Sequence, residues 1–320
     1  MIRRMAALLL IAISTGGVSW WLHQRGAAQS QQHSTEQQLL ADIIDTTSGV
    51  QRVKIEDQNG VLFSAVRDSE RWLATHLDTI TTFPADTNKL AELVNQLVQM
   101  RVVETKTSNP DRYTRLGVES VRDSGAQSVL IELGGSQDVF SLLIGRRADN
   151  GTGTYVRQPE EAMSLLVDKS FSLPEQNASW LSRRVLPWGA DNVRRITVHK
   201  PGRPPLELNN PGVQSADWQV QTESQADSHV SARRVQEVLA FQFSSVSPYL
   251  PQQWQDADII TRIDIEGRGA EVLTLLMTNS HGDEYIQMRV TTETNAEWFT
   301  EWEFGLTEYQ ALPLLFNTQL

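Results

Sequence analysis

The stretch Val193-Arg194-Arg195-Ile196-Thr197-Val198 repeats the pattern of Val50-Gln51-Arg52-Val53-Lys54-Ile55, and the elements behind each copy come in the same order. In both, apolar residues alternate with polar ones, the period-2 mark of a strand with one buried face. After the first copy, Asn59-Gly60 stands before Val61-Leu62-Phe63. That predicts a hairpin, because Asn-Gly accepts the positive φ of a tight primed turn. Asp68-Ser69 turns the chain again, into a strand at Trp72-Leu73-Ala74. In the second copy Pro201-Gly202 makes the turn, and Trp218-Gln219-Val220 takes the place of Trp72. Each copy then predicts a capped helix. Asp86 caps one over Asp86–Val103, with an apolar face of Leu90, Leu93, Val94, Leu97 and Val98. Ser231 caps the other over Ser231–Val246, where Val235, Val238, Leu239 and Phe243 copy Leu90, Leu93, Val94 and Val98 at a constant offset of 145.

Further strands are expected at Ser128–Leu133, Val139–Ile144 and Thr154–Gln158, with a short helix over Glu161–Val167 closing the first copy. The second copy continues with strands Ile259–Ile265, Val272–Thr278, Tyr285–Val290 and Trp298–Phe304, one strand more than the first. A last helix covers Thr307–Phe316, which Pro313 bends or ends. The expected fold class is α+β: an N-terminal transmembrane helix followed by two related units, each a mostly antiparallel sheet with one long helix. The boundaries read as an anchor over 1–25, a polar tether over 26–49, a first unit over 50–172, a connector over 173–192 and a second unit over 193–320.

The anchor rests on an uncharged window. No charged side chain lies between Arg4 and Arg25, so Met5–Gln24 offers twenty residues, a helix of about 30 Å. Arg3 and Arg4 precede it, which keeps the N-terminus cytoplasmic and sends the rest across. Trp20 and Trp21 fall at the far end, where indoles favour the headgroup region. A cleaved signal peptide is the rival, with Gly26-Ala27-Ala28 as small residues, but Trp20, Trp21, His23 and Arg25 stand between them and the apolar run. The expected location is the inner membrane, single pass, with the C-terminal part in the periplasm. A chain with no cysteine suits that compartment.

The formal charge is −11, and since residues 1–25 carry three arginines and no acid, residues 26–320 carry −14. A surface that acidic is a poor match for nucleic acid. P-loop, H-E-x-x-H and G-x-S-x-G patterns do not occur, and none of the six histidines has another three or four residues away. No cofactor, metal or catalytic residue is therefore assigned. Glu301 and Glu303 flank Trp302, but read as a solvated strand edge. On a strand, Trp298, Trp302 and Phe304 share one face, which reads first as a sheet's buried face, and Phe299 lies on the other; where a face stays exposed, Trp298, Phe299 and Trp302 form the candidate partner surface.

Several stretches carry a resemblance: Arg71-Trp72-Leu73, Phe83-Pro84-Ala85-Asp86, Tyr113 with Leu116-Gly117-Val118, Leu143-Ile144-Gly145 and Thr154-Tyr155-Val156. With the N-terminal anchor they resemble bacterial domain-of-unknown-function family 4340, most clearly over residues 50–170. Val118 stands where the family usually has Leu. Its motifs are structural and bring no active-site residue. The resemblance implies an accessory, anchored subunit beside an ABC transporter of the gliding-motility type, touching a permease or auxiliary protein. The expected function is thus a non-enzymatic, periplasm-facing interaction protein. A small-molecule or glycan binding module with a cleft between the two units is the alternative, and a hydrolase ranks below it.

Overall fold

The computed structural model describes residues 49–316 apart from 136–138, 150, 176–177, 213–217, 222–228, 256, 270, 280–284 and 294–296. The expected span Met5–Gln24 and the tether lie outside the described residues. Among the described residues no helix is long and apolar enough to cross a membrane.

The first sheet contains β1 (Arg52–Asp57), β2 (Gly60–Asp68), β3 (Arg71–Ala74), β4 (Phe83–Pro84), β5 (Val102–Thr105), β6 (Val129–Gly134), β7 (Val139–Arg147), β8 (Thr154–Arg157) and β9 (Ser164–Val167). Its order is β4-β3-β2-β1-β6-β7-β8-β9-β5. The second contains β10 (Val193–His199), β11 (Leu206–Asn209), β12 (Trp218–Gln221), β13 (His229–Val230), β14 (Ser245–Pro248), β15 (Ile259–Gly267), β16 (Val272–Asn279), β17 (Ile286–Thr292) and β18 (Trp302–Leu306). Its order is β13-β12-β11-β10-β15-β16-β17-β18-β14, the first order repeated strand for strand. Both sheets are antiparallel. Alternation drives the burial: β1 buries Val53 and Ile55 between Lys54 and Glu56, and β10 buries Ile196 and Val198 likewise.

Helices are few. In each copy a helix joins the outermost strand on one side to the outermost on the other: α1 (Thr87–Val98) runs from β4 to β5, and α3 (Ala232–Leu239) from β13 to β14. The caps fall where the sequence places them. Asp86 Oδ1 accepts from the Asn88 and Lys89 N–H groups at 3.0 and 3.2 Å, and Ser231 Oγ from Arg234 N at 3.3 Å. A short α2 (Tyr113–Leu116) precedes β6 and a short α4 (Pro251–Trp254) precedes β15. The chain closes on α5 (Glu308–Leu315), held by a reciprocal Thr307–Gln310 capping box.

Five expectations change. Both long helices stop early, at Val98 and Leu239, and the residues beyond them form the edge strands β5 and β14. Glu161–Val167 contains strand β9 instead of a helix, because Leu165 and Leu166 pair with Thr105 and Glu104. Trp298–Glu301 is a 3-10 turn, and the strand begins only at Trp302. β18 therefore matches β9, and the second sheet has no strand that the first lacks. Finally, Asn59 does not take the positive φ expected of it. Gly60 does (φ 127°), while Asp57 Oδ1 accepts from Asn59 N at 2.7 Å.

Compactness divides the chain differently from the sheets. One unit gathers Glu56–Asn59 with Ala91–Ser172, and the other gathers Arg52–Ile55, Gly60–Leu90 and the described chain from Leu173 onward. Within the latter, Asp86 N donates to Trp180 O and Ser182 N to Pro84 O, each at 2.8 Å.

Candidate functional site

Arg3, Arg4, Trp20 and Trp21, which set the expected membrane orientation, lie outside the described residues. The candidate partner surface is instead a core. Phe299 and Trp302 are 1% and 0% exposed, and Trp298 is half-buried. The 3-10 turn removes the strand alternation that would have turned one of the two outward. Phe83 packs edge-on against Trp298 and Trp302 at 4.9 and 5.4 Å between centroids, and against Phe243 at 6.0 Å.

Polar side chains buried beside the strands tie the framework together, and the ties are duplicated. Ser164 on β9 lies opposite Arg157 on β8, and Glu303 on β18 lies opposite Arg289 on β17. Ser164 Oγ accepts from Thr107 N at 3.1 Å, and Glu303 Oε1 accepts from Leu250 N at 2.9 Å. Thr107 and Leu250 each lie two residues past the edge strand, so the two side chains do one job with different chemistry. Glu303 also accepts from Trp254 Nε1 at 2.8 Å, so it is buried rather than a solvated edge. Arg157 donates to the carbonyls of Val118, Pro159 and Glu161, each at 3.0 Å, with its guanidinium 4.4 Å from the Tyr113 ring centroid. Arg289 sits 3.2 Å from the Tyr249 ring centroid, and burial pushes its pKa down. On β10 and β15, Arg195 holds Glu266 through Nε and Nη2 at 2.9 and 2.5 Å. Burial alone would raise the Glu266 pKa, but hydrogen bonds from Arg195 and Arg194 outweigh it and hold the carboxyl below its ordinary value.

A cleft of about 710 Å3 opens between the connector and α3. One wall is Arg183, Arg184, Leu186 and Trp188, followed by the 3-10 turn Ala190–Asn192. This wall is fixed: Asn210 Nδ2 donates to the Ala190 and Val193 carbonyls at 3.0 and 2.7 Å, and Arg268 Nε to the Asp191 carbonyl at 2.7 Å. The Trp188 ring rests on Gly267, where an added Cβ would meet it at 3.2 Å. The opposite wall is Ala232, Gln236, Leu239 and Ala240, with Trp218 between. Arg183 is half-buried, donates to the Phe243 carbonyl and stacks 4.7 Å from that ring's centroid. Burial lowers its pKa, opposed by the charge of Asp86. In sequence this connector reads as packing only. The available signal is Arg183-Arg184, two adjacent cations between Trp180-Leu181 and Pro187-Trp188 in a strongly acidic chain. No group of His, Asp and Glu able to hold a metal occurs among the described residues.

A family model described as "Domain of unknown function (DUF4340)" matches residues 72–258, which takes in all of the first sheet from Trp72 and runs to the start of β15. No curated protein and no solved structure matches the chain.

Proposed function

The chain belongs to the domain-of-unknown-function family DUF4340, and on that footing we propose that it is a membrane-anchored, periplasm-facing interaction protein that carries out no reaction itself. One observation carries the reading. What the second sheet repeats from the first is framework: strand order, the helix that spans from edge to edge, and the side-chain tie to the residue beyond the edge strand. Doubling a framework enlarges the surface a protein can present, which serves contact more than chemistry. The uncharged window behind Arg3 and Arg4 supports the membrane location. The resemblance supports a partner in an ABC transporter of the gliding-motility type, either a permease or an auxiliary subunit.

Since Phe299 and Trp302 are core, the contact surface is reassigned to α5, where Tyr309 and Leu312 stand 83% and 50% exposed one turn apart. The test uses crosslinking and pull-down of the full chain from native membranes. The Tyr309→Ala, Leu312→Ala double variant should lose its partner by at least about tenfold while keeping its melting temperature, as truncation of exposed anchor residues does. A C-terminal alkaline phosphatase fusion should be active. An inactive phosphatase fusion, or a partner captured equally by residues 1–48 alone, would sink the proposal.

A further inference from the structure

The cleft beside α3 brings two arginines to a largely apolar space. Among the described residues, neither Arg183 nor Arg184 forms an ion pair, although the chain beyond residue 25 carries −14. Asp191 is the acid among the lining residues, so the lining keeps a net positive charge. Arg183 spends Nη1 on the Phe243 carbonyl. Its Nε and Nη2 have no acceptor among the described residues. That same Nε–Nη2 edge is the one by which Arg195 holds one oxygen of the Glu266 carboxylate, Oε1, while Arg194 Nη2 takes the other. An Arg fork in a half-buried setting suits a carboxylate better than a point charge does, since two parallel N–H donors match its two oxygens. The apolar part of the lining is Leu186, Trp218 and Leu239, which are buried, and Trp188, whose ring is held in place on Gly267, while Asn210, Gln236 and Gln242 add neutral polar groups. A fixed cleft that sets apolar rings beside a small number of charged and amide groups is the pattern of a small-molecule site.

From this arrangement we infer that the cleft binds a small amphipathic carboxylate, its anion on Arg183 and Arg184 and its apolar body against Leu186, Trp188, Trp218 and Leu239. The inference does not rest on the partner reading, because the cleft and the exposed face of α5 share no residue.

The experiment places the full chain in nanodiscs of zwitterionic phosphatidylcholine and titrates 4-phenylbutyrate by calorimetry, with its neutral amide as control. Wild type should bind the carboxylate saturably and the amide at least about tenfold more weakly. Arg184→Glu should weaken the carboxylate by at least about tenfold, as loss and reversal of a charge-assisted contact requires. Ala240→Trp, which plugs the cleft from an exposed position, should abolish binding. Melting temperatures identify any variant that fails to fold, and Gln236→Trp, also exposed, then replaces Ala240→Trp. No saturable binding by wild type up to about 10 mM, beyond the weakest useful affinity range, would overturn the site. Equal affinity for the amide would overturn the role of the arginines. Binding retained in a folded plugged variant would overturn the location.

Discussion

Asp78 collects donors from the loop that follows it. Thr81 Oγ1 donates to Asp78 Oδ2 at 2.7 Å, and the N–H groups of Thr81 and Ile80 donate to the same oxygen at 2.9 and 3.2 Å. The Thr81 hydroxyl is the strongest influence and its N–H the next, and together with the backbone of Thr79 and Ile80 they hold the carboxyl down to about 2 against a smaller opposing effect of burial. A carboxyl with a depressed folded pKa stabilises the fold above its unfolded value of about 4, and that contribution is lost as pH falls through the folded value. The window therefore runs from about 4 down to about 2. Thr81→Val removes the largest influence and keeps the N–H. The Asp78 midpoint, followed by carboxyl carbon NMR, should move upward toward about 4. A midpoint that stays near 2 would show that the backbone donors alone suffice. Nothing in the local spelling Asp78-Thr-Ile-Thr81 distinguishes this loop from an ordinary turn, since the effect depends on three donors converging on one oxygen.

Two of the stretches that carry the family resemblance meet as one joint. Gly117 ends α2 in the left-handed conformation at φ 67°, and its turn lies directly on Gly145 of β7. A Cβ on Gly145 would come within 2.8 Å of the Gly117 carbonyl and 2.7 Å of Val118 Cγ1, and closer still to the Leu116 carbonyl. Backbone cannot yield there as a side-chain tip would, so Gly145→Ala should cost about 2 kcal/mol, within the usual range for overpacking. Gly269→Ala, with nothing within 4 Å, should be close to neutral. Denaturant unfolding of the two variants side by side checks the difference, and equal midpoints would mean that the joint gives way. Leu116-Gly117-Val118 is legible as a compact turn from its glycine, but its docking on Gly145 is not, because 28 residues separate the two glycines. The same distinction runs through the elements. β6 and β15 are legible because burial on one face writes a period of two, and β7 and β16 because dense apolar runs, Leu142-Leu143-Ile144 and Leu275-Leu276-Met277, mark long strands. β5, β9 and β14 are four residues each, and they exist because of partners far along the chain: β5 pairs with β9, and β14 with β18. A helical spacing that continues past Val98 then loses to sheet pairing, as local propensity does when tertiary hydrogen bonds compete. The aromatic run Trp298–Phe304 misleads for a related reason. Spacing by two does not reveal that its first half turns as a 3-10 helix.

At the scale of the whole molecule, the repeat is visible in sequence but its consequence for folding is not. Matching order and the helix offset of 145 suggest two copies, and the strand orders agree. Two copies in sequence would suggest two halves that fold apart, with a cut near Ser172. By contacts, Gly60–Leu90, which holds β2 to β4, gathers with the chain beyond Leu173. The physical reason is concentrated at β4. Phe83 is fully buried among Phe243, Trp298, Trp302 and Phe304, and Phe63 packs on Trp180 at 5.4 Å. Ala85 bridges to Leu181, and Lys89 Nζ donates to the Ser179 carbonyl at 2.5 Å. A fragment of residues 49–172 keeps β1 to β9 but loses every one of those partners. It would expose Phe63 and Phe83 and leave the Asp86 N–H without its Trp180 carbonyl. Burial of one large aromatic contributes about 3 kcal/mol, so losing two approaches the stability of an ordinary domain. The fragment 49–172 should therefore show no cooperative thermal transition and poor amide dispersion by NMR, whereas 49–316 should show both. In the full chain, Phe83→Ala should cost about 3–5 kcal/mol in denaturant unfolding, as expected for emptying a well-packed aromatic site. A fragment 49–172 that unfolds cooperatively with dispersed amides would overturn the argument, and would mean that the first sheet closes its own core without the residues beyond Leu173.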